Sequence, residues 1–110
     1  MNSKQKGKRG ELEFAAELRR IFGCEARRGQ QFKGTEESPD VECNIPGVHW
    51  EVKRTEHLRL YEAVEQARED CGEDDVPVVG HRRNHKEWVA IVPLEKLPEL
   101  AVKLYLWMAS

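Results

Sequence analysis

Two carboxylates and one lysine lie close together in the stretch SPDVECNIPGVHWEVKR, residues 38–54 of the chain. Asp40 begins one run of alternating apolar and polar residues, and Glu51 and Lys53 lie in the next run. Because side chains alternate across a strand, Glu51 and Lys53 share one face of the second strand. Pairing of the two runs would bring Asp40 towards Glu51, and two carboxylates suit a hard cation such as Mg²⁺ that also accepts phosphate oxygens. The lysine ammonium would orient a water and stabilise charge that develops on a phosphate. The residue types and their spacing therefore suit metal-assisted hydrolysis of a phosphodiester.

Each of these features is a weak indication of function when it is taken alone. A Pro-Asp pair is common at the start of a strand, and Glu-Val-Lys on an edge strand usually provides solvent-exposed charge. Their combination strengthens the functional interpretation, because Asp40 lies one short hairpin before Glu51 and Lys53. A predicted helix that carries glutamates precedes the hairpin, and a second helix follows it.

The periodicity of the flanking sequence predicts the elements that position these residues. Apolar residues at helical spacing predict a helix from about Lys8 to Phe22, with Gly23 as its C-cap. A short strand in CEARR follows, and then the loop GQQFKGTEES at residues 29–38. The alternating runs DVECNI and VHWEVKR predict two strands that are joined by a turn at Pro46-Gly47.

The second half of the chain adds a helix, two strands and a last helix. Helical spacing predicts a helix from Leu58 to Cys71, and the runs VPVVGHRR and EWVAIVPL predict two strands joined at Asn84-His85. The stretch LEKLPELAVKLYLWMA predicts a helix that is apolar on two sides, with Leu100, Leu104 and Trp107 along one line. This order of elements predicts an α/β fold with a mixed central β-sheet flanked by helices.

Length and composition favour a single domain. The chain has 110 residues, of which 39% are apolar and 35% are charged, so it can bury one modest core. We expect one domain over residues 1–110, with residues 1–7 as a flexible basic arm. No apolar run is long enough to span a bilayer, and the N-terminal stretch MNSKQKGKRG lacks the apolar segment of a secretory signal. We therefore expect a cytoplasmic location and no membrane partner.

Cysteines and histidines give no sign of a zinc site. Three cysteines at wide spacing indicate reduced, partly buried thiols rather than a disulfide framework. The four histidines are scattered without ligand spacing, so we expect surface or structural roles for them. No small-molecule cofactor is expected.

The charges are distributed unevenly, although the net charge is only −2. Residues 1–33 hold nine Lys or Arg against four Asp or Glu, residues 34–80 hold four against thirteen, and residues 81–110 hold five against three. Basic ends around an acidic middle indicate separate faces for different partners, or one site for a metal and a polyanion together. Crowded carboxylates would repel one another until a divalent cation neutralises them.

The sequence resembles the PD-(D/E)XK nuclease superfamily, and the resemblance is carried by Pro39-Asp40 and Glu51-Val52-Lys53. More narrowly, it looks like the Holliday junction resolvase family of phages and archaea. KGKRGE at residues 6–11 is similar to the entrance of that family's first helix, and Arg27-Arg28 is similar to its basic strand end. LYEAVEQARED and HRRNHKEW resemble the Gln-containing helix and basic strand of phage members. The resemblance covers nearly the whole chain and implies a restriction-endonuclease-like core.

The resemblance implies a metal site on the two strands of the hairpin. Asp40 and Glu51 would bind Mg²⁺, or Mn²⁺ as a substitute, with the Val52 carbonyl as a further ligand. Lys53 would act on the attacking water. The expected reaction is hydrolysis of a phosphodiester by a metal-activated water.

Two further residues enter through the same resemblance. Glu11 would complete the acidic cluster as a catalytic and metal-binding residue, and Glu13 is the alternative, although the spacing from the Lys-Gly pair favours Glu11. Gln66 on the second helix would lie near the site. The loop at residues 29–38 is longer than in archaeal members, which leaves open whether Ser38 takes the part of a serine in their loop.

Basic residues flank the proposed site along the sequence. Phosphate contacts by Lys and Arg dominate the affinity for nucleic acids, so we expect these residues to bind DNA, with a merely solvated basic face as the alternative. The predicted DNA-binding residues are Lys6, Lys8, Arg9, Arg27, Arg28, Lys33, Arg54, Arg82 and Arg83.

The resemblance implies a Mg²⁺-dependent, structure-selective endodeoxyribonuclease that resolves four-way or otherwise branched DNA junctions in a bacterial or phage-infected host cell. A four-way junction has two-fold symmetry, so a homodimer is the natural form, with the apolar C-terminal helix or the second helix as its interface. One alternative is a nuclease of linear or single-stranded DNA in repair or restriction. Another is a non-catalytic DNA-binding protein on the same scaffold, against which the intact Asp40, Glu51 and Lys53 count.

Overall fold

The computed structural model describes residues 3–29 and 39–110, with side chains from Gly7 onwards. Three helices and five strands follow one another along the chain. They are α1 (Ser3–Phe22), β1 (Ala26–Arg28), β2 (Val41–Cys43), β3 (Val48–Arg54), α2 (Leu60–Asp70), β4 (Val76–Arg82), β5 (Val89–Ile91) and α3 (Leu97–Ala109). A 3₁₀ turn at Leu94–Lys96 leads into α3.

The five strands form one mixed sheet in the order β1-β2-β3-β4-β5. β3 and β4 are parallel, from Val48 opposite Val76 to Arg54 opposite Arg82, and α2 forms the crossover between them. The other neighbouring strands are antiparallel. The predicted mixed α/β architecture and the hairpin around Pro46-Gly47 are therefore confirmed, and Gly47 adopts a left-handed φ of 81° that favours glycine.

The two faces of the sheet carry different cores. On one face, α1 packs Phe14, Ala15 and Leu18 against β3 and β4, and the Phe14 ring lies 5.6 Å from the ring of Trp50. On the other face, Ala63 of α2 packs in a smaller cluster with Val79 of β4. Side chains alternate along β3. The even-numbered residues, such as Trp50, therefore face α1, and His49, Glu51 and Lys53 face α2.

The first helix is longer than the sequence predicts. It begins at Ser3 rather than near Lys8, so residues 3–7, for which we expected a flexible arm, are helical in this structure. Its end agrees with the prediction, since Gly23 has a φ of 64° and its N–H donates to the Arg19 carbonyl at 3.0 Å.

The C-terminal helix differs from the expectation for the dimer surface. Leu100 is buried, and Leu104 and Trp107 pack against the α1-side core, where the Trp107 Nε1–H donates to the Phe22 carbonyl at 3.1 Å. Leu100 therefore contributes to the core of its own domain, whereas Leu104 and Trp107 are only partly buried against it. The opposite side of α3 is exposed instead, with Val102 at 57% and Leu106 at 62% exposure.

The cysteines agree with the expectation. Cys24 is buried, Cys43 and Cys71 are half-buried, and all three are free thiols. Among the helices that the structure describes, none has both the length and the apolar character needed to cross a membrane.

Candidate active site

The face of β3 that turns towards α2 carries two buried polar side chains. Glu51 is 4% exposed and His49 is 1% exposed. Polar groups in such surroundings need partners, because their hydration is lost. Here the two side chains contact each other, with His49 Nε2 at 2.7 Å from Glu51 Oε1. β3 therefore holds a carboxyl group in the interior next to an imidazole.

Asp40 is placed beside this carboxyl group by the start of β2. Its backbone N–H donates to the Trp50 carbonyl at 3.0 Å, which continues the pairing of Val41 with Trp50. Its carboxylate accepts the backbone N–H of Val52 at 2.8 Å. Since the N–H and C=O of a strand residue point the same way, the Val52 carbonyl faces the Asp40 side of β3. The expected ligands from β2 and β3 are thus close together.

A glycine holds the backbone at Asp40 in place. The Gly29 N–H donates to the Asp40 carbonyl at 2.8 Å, which ties the end of β1 to the residue before β2. A Cβ atom at Gly29 would overlap the carbonyl oxygen of Pro39. Only glycine allows this approach, so the position of Asp40 depends on both strands of the β1–β2 pair.

The third carboxylate comes from α1. Glu11 has a side chain that is 14% exposed, and its Oε1 accepts a hydrogen bond from Arg28 Nε at 2.8 Å. Burial raises the pKa of Glu11, the hydrogen bond from Arg28 opposes that rise, and the carboxylate of Asp40 adds to it. The carboxyl group of Glu11 therefore interacts electrostatically with that of Asp40.

Glu13, the alternative to Glu11, belongs to a different cluster. Its Oε1 accepts a hydrogen bond from Arg82 Nη1 at 2.9 Å and lies 3.6 Å from Arg54 Nε. These arginines come from the ends of β4 and β3, so Glu13 connects α1 to the sheet. The geometry favours Glu11 over Glu13 as the carboxylate of the candidate site.

Lys53 follows Glu51 on the same face of β3. Its Nζ donates to Gln66 Oε1 of α2 at 3.1 Å. A cavity of about 200 Å³ opens beside these two residues and is also lined by Thr55, His57 and Arg59. Gln66 thereby holds the ammonium group next to a space that a phosphate group could enter.

The electrostatics of Glu51 are unusual for a carboxyl group. Burial raises its pKa from the ordinary value of 4.5 to about 7, and a hydrogen bond and charge repulsion from Asp40 add to the rise, while His49 opposes it. Near neutral pH, burial and the nearby Asp40 therefore leave Glu51 partly protonated when no cation is bound. A cation bound beside Glu51 would favour its ionised form.

The donor set fits a hard divalent cation. Asp40 and Glu51 provide carboxylate oxygens and Val52 a carbonyl oxygen, and Mg²⁺ typically takes one or two carboxylates and completes its shell with waters and phosphate oxygens. Among the side chains that the structure describes, no group of three or more His, Cys, Asp or Glu residues is placed to hold a metal ion.

The predicted DNA-binding residues are partly engaged within the protein. Lys8, Arg9 and Arg83 are exposed. Arg27 is 73% exposed and contacts Glu42 at 3.3 Å, whereas Arg28 donates to Glu11. The side chain of Lys6 lies outside the described part, as do Lys33 and Ser38 entirely.

Arg54 and Arg82 are placed differently from the expectation. The Arg54 side chain is only 12% exposed. It lies on the same face of β3 as Trp50, which α1 covers, and it contacts Gly10. Its Nη2 donates to Asn84 Oδ1 at 2.8 Å. Arg82 is 31% exposed and donates to Glu13. These two guanidinium groups connect α1 to the β4–β5 turn.

The contact between His49 and Glu51 was not predicted from the sequence. His49 was expected to have a surface or structural role, because the histidines show no metal-ligand spacing. The alternation of β3 did place His49 on the same face as Glu51 and Lys53, and this was the available signal. What the alternation alone did not show is that α2 buries this face and brings the imidazole to the carboxyl group.

Comparison of the chain with protein-family models, with curated proteins and with solved structures finds no match.

Proposed function

We propose that the protein is a Mg²⁺-dependent, structure-selective endodeoxyribonuclease that acts on four-way or branched DNA junctions. The observation that carries the proposal is that Asp40 interacts electrostatically with two further carboxyl groups from separate elements, since it contributes to the raised pKa of both Glu11 of α1 and Glu51 of β3. Such a cluster costs stability unless it serves a charged ligand. We propose with it that the mixed sheet and its helices form a restriction-endonuclease-like core.

Each residue has a distinct part in the proposed reaction. Asp40 and Glu51 hold the cation together with the Val52 carbonyl, and Glu11 adds negative charge beside Asp40. A bound Mg²⁺ would supply Lewis-acid chemistry, which favours attack by water and offsets negative charge on the phosphate. The Lys53 ammonium, held by Gln66 at 3.1 Å, orients that water and stabilises charge on the phosphate oxygens.

The proposed substrate rests on the resemblance and on the exposed basic residues. Lys8, Arg9, Arg27 and Arg83 present positive charge to solvent, as contacts to a DNA backbone require. A four-way junction needs two symmetric cuts, so we propose a homodimer. Its location in the cytoplasm of a bacterial or phage-infected cell is part of the same proposal.

The test is cleavage of labelled four-way, forked and linear DNA, each with Mg²⁺ and with EDTA. We expect symmetric cuts near the branch of the four-way junction in Mg²⁺, none in EDTA, and none with Asp40→Asn. Glu42→Gln serves as the control, because Glu42 lies on β2 and pairs with the exposed Arg27. Equal digestion of linear DNA would contradict selectivity for junctions and favour a general nuclease.

One observation favours a second candidate function. The three carboxyl groups all have partners within the protein, namely Arg28 for Glu11, the Val52 N–H for Asp40 and His49 for Glu51. A non-catalytic DNA-binding protein on the same scaffold would keep such internal pairs. Binding of branched DNA without cleavage in either Mg²⁺ or Mn²⁺ would support this candidate.

A further inference from the structure

His49 and Glu51 form the most enclosed polar contact around the candidate site. Their side chains are 1% and 6% exposed, and His49 Nε2 lies 2.7 Å from Glu51 Oε1. They are two residues apart on one strand, so both project from the same face of β3 under α2. A contact this short between enclosed groups restricts the rotation of the carboxyl group.

We propose that His49 is a positioning residue for the metal site, in which its Nε2–H donates to Glu51 Oε1 and turns the other carboxyl oxygen towards Asp40. This inference rests on the proposed function, because it assumes that Glu51 binds the cation. A carboxylate acts as a well-placed ligand when one oxygen is held by a fixed donor, and loss of such a partner typically weakens metal binding by about 10–100-fold.

The direction of the hydrogen bond follows from the ligand chemistry. A carboxylate that binds a cation carries no proton, so it can only accept hydrogen bonds. His49 must then be the donor, and its Nε2 must carry the proton. The packing of α2 against β3 prevents water from taking over this contact, since both side chains are enclosed.

A stabilising contact alone is the competing explanation. Replacing a buried polar pair by apolar residues of similar size is often neutral for folding, so stability by itself gives little reason to place a histidine here. The two explanations differ in one measurable respect. A purely structural contact changes the free energy of unfolding but leaves the metal affinity of the folded protein unchanged.

The test uses two variants of matched length, His49→Gln and His49→Met. Glutamine offers an N–H at the end of its side chain, whereas methionine fills a similar volume without a donor. Mn²⁺ binding by the full chain is measured by calorimetry at one fixed pH, and folding is checked by circular dichroism. We expect about tenfold weaker Mn²⁺ binding in His49→Met and near wild-type binding in His49→Gln. Equal Mn²⁺ affinity in both variants and the wild type would overturn the inference.

A control separates failure of this inference from failure of the proposed function. Glu51→Gln tests the metal site itself, and unchanged Mn²⁺ binding in that variant would refute the metal site and the inference together. Loss of binding in Glu51→Gln with unchanged binding in His49→Met would refute only the role of His49.

A measurement on the wild-type protein covers the case in which His49→Met does not fold. Nitrogen-15 NMR of the histidine rings reports which nitrogen carries the proton in the presence of saturating Mg²⁺. We expect a protonated Nε2 for His49, and an unprotonated Nε2 would overturn the proposal.

Discussion

Glu51→Gln should remove a pH-dependent loss of stability from the metal-free protein. The pKa of Glu51 is raised from 4.5 to about 7, first by burial and then by Asp40. In the unfolded chain the same carboxyl group loses its proton near its ordinary value. Between these two values the folded state binds more protons than the unfolded state, so the stability of the wild type falls as the pH rises. A glutamine is neutral at every pH and shows no such fall.

The size of the effect follows from the width of this interval. One unit of pKa difference corresponds to about 1.4 kcal/mol, so the interval from 4.5 to about 7 gives a loss of about 3 kcal/mol above pH 7. The free energy of unfolding of Glu51→Gln, relative to the wild type, should therefore increase by about 3 kcal/mol between pH 4 and pH 8. Such a difference is a large part of the stability of a small domain.

Urea denaturation at both pH values in EDTA measures this difference. Glu65→Gln, an exposed position on α2, is the control and should change little with pH. A saturating cation should restore the wild type at pH 8 by about 2.7 kcal/mol at one hundred times its dissociation constant, but should not stabilise Glu51→Gln. An equal effect of Glu51→Gln at both pH values would refute the reasoning about Glu51.

Three other substitutions test separate parts of the structure. Lys53→Met should lower the cleavage rate by about a hundredfold with unchanged Mn²⁺ binding, and equal loss of both would contradict a role for Lys53 on the water. Arg83→Ala should weaken DNA binding and lower its salt slope by about 0.9, whereas Arg54→Ala should mainly lower the melting temperature, because Arg54 is enclosed beside Asn84. Leu100→Ala should cost about 2–5 kcal/mol in urea denaturation, and a loss below about 1 kcal/mol would contradict its place in the core.

The elements of the site were predictable because their signals are local. The alternation of VHWEVKR gave β3 and the shared face of Glu51 and Lys53, and Pro46-Gly47 gave the hairpin. The choice of Glu11 over Glu13 came instead from the family resemblance of residues 6–11. The structure places Glu11 near Asp40, whereas Glu13 contacts Arg82.

The remaining features depend on which face each element buries. Arg54 belongs to the α1 face of β3, and only the packing of α1 shows that this face is covered at its end. The same is true of Leu100 and Trp107, since an apolar line on a helix does not show whether it covers its own core or a partner. The burial of the contact between His49 and Glu51 likewise depends on the packing of α2 against β3. This tertiary packing has no local signal in the sequence.

The most direct test of the central claim is the location of Mn²⁺ by anomalous diffraction in crystals of the metal-loaded protein. We predict an anomalous peak within coordinating distance, about 2.0–2.2 Å, of the Asp40 and Glu51 carboxylates and the Val52 carbonyl. A peak at other residues, or no peak with both carboxyl groups still in their internal hydrogen bonds, would contradict the account of this site.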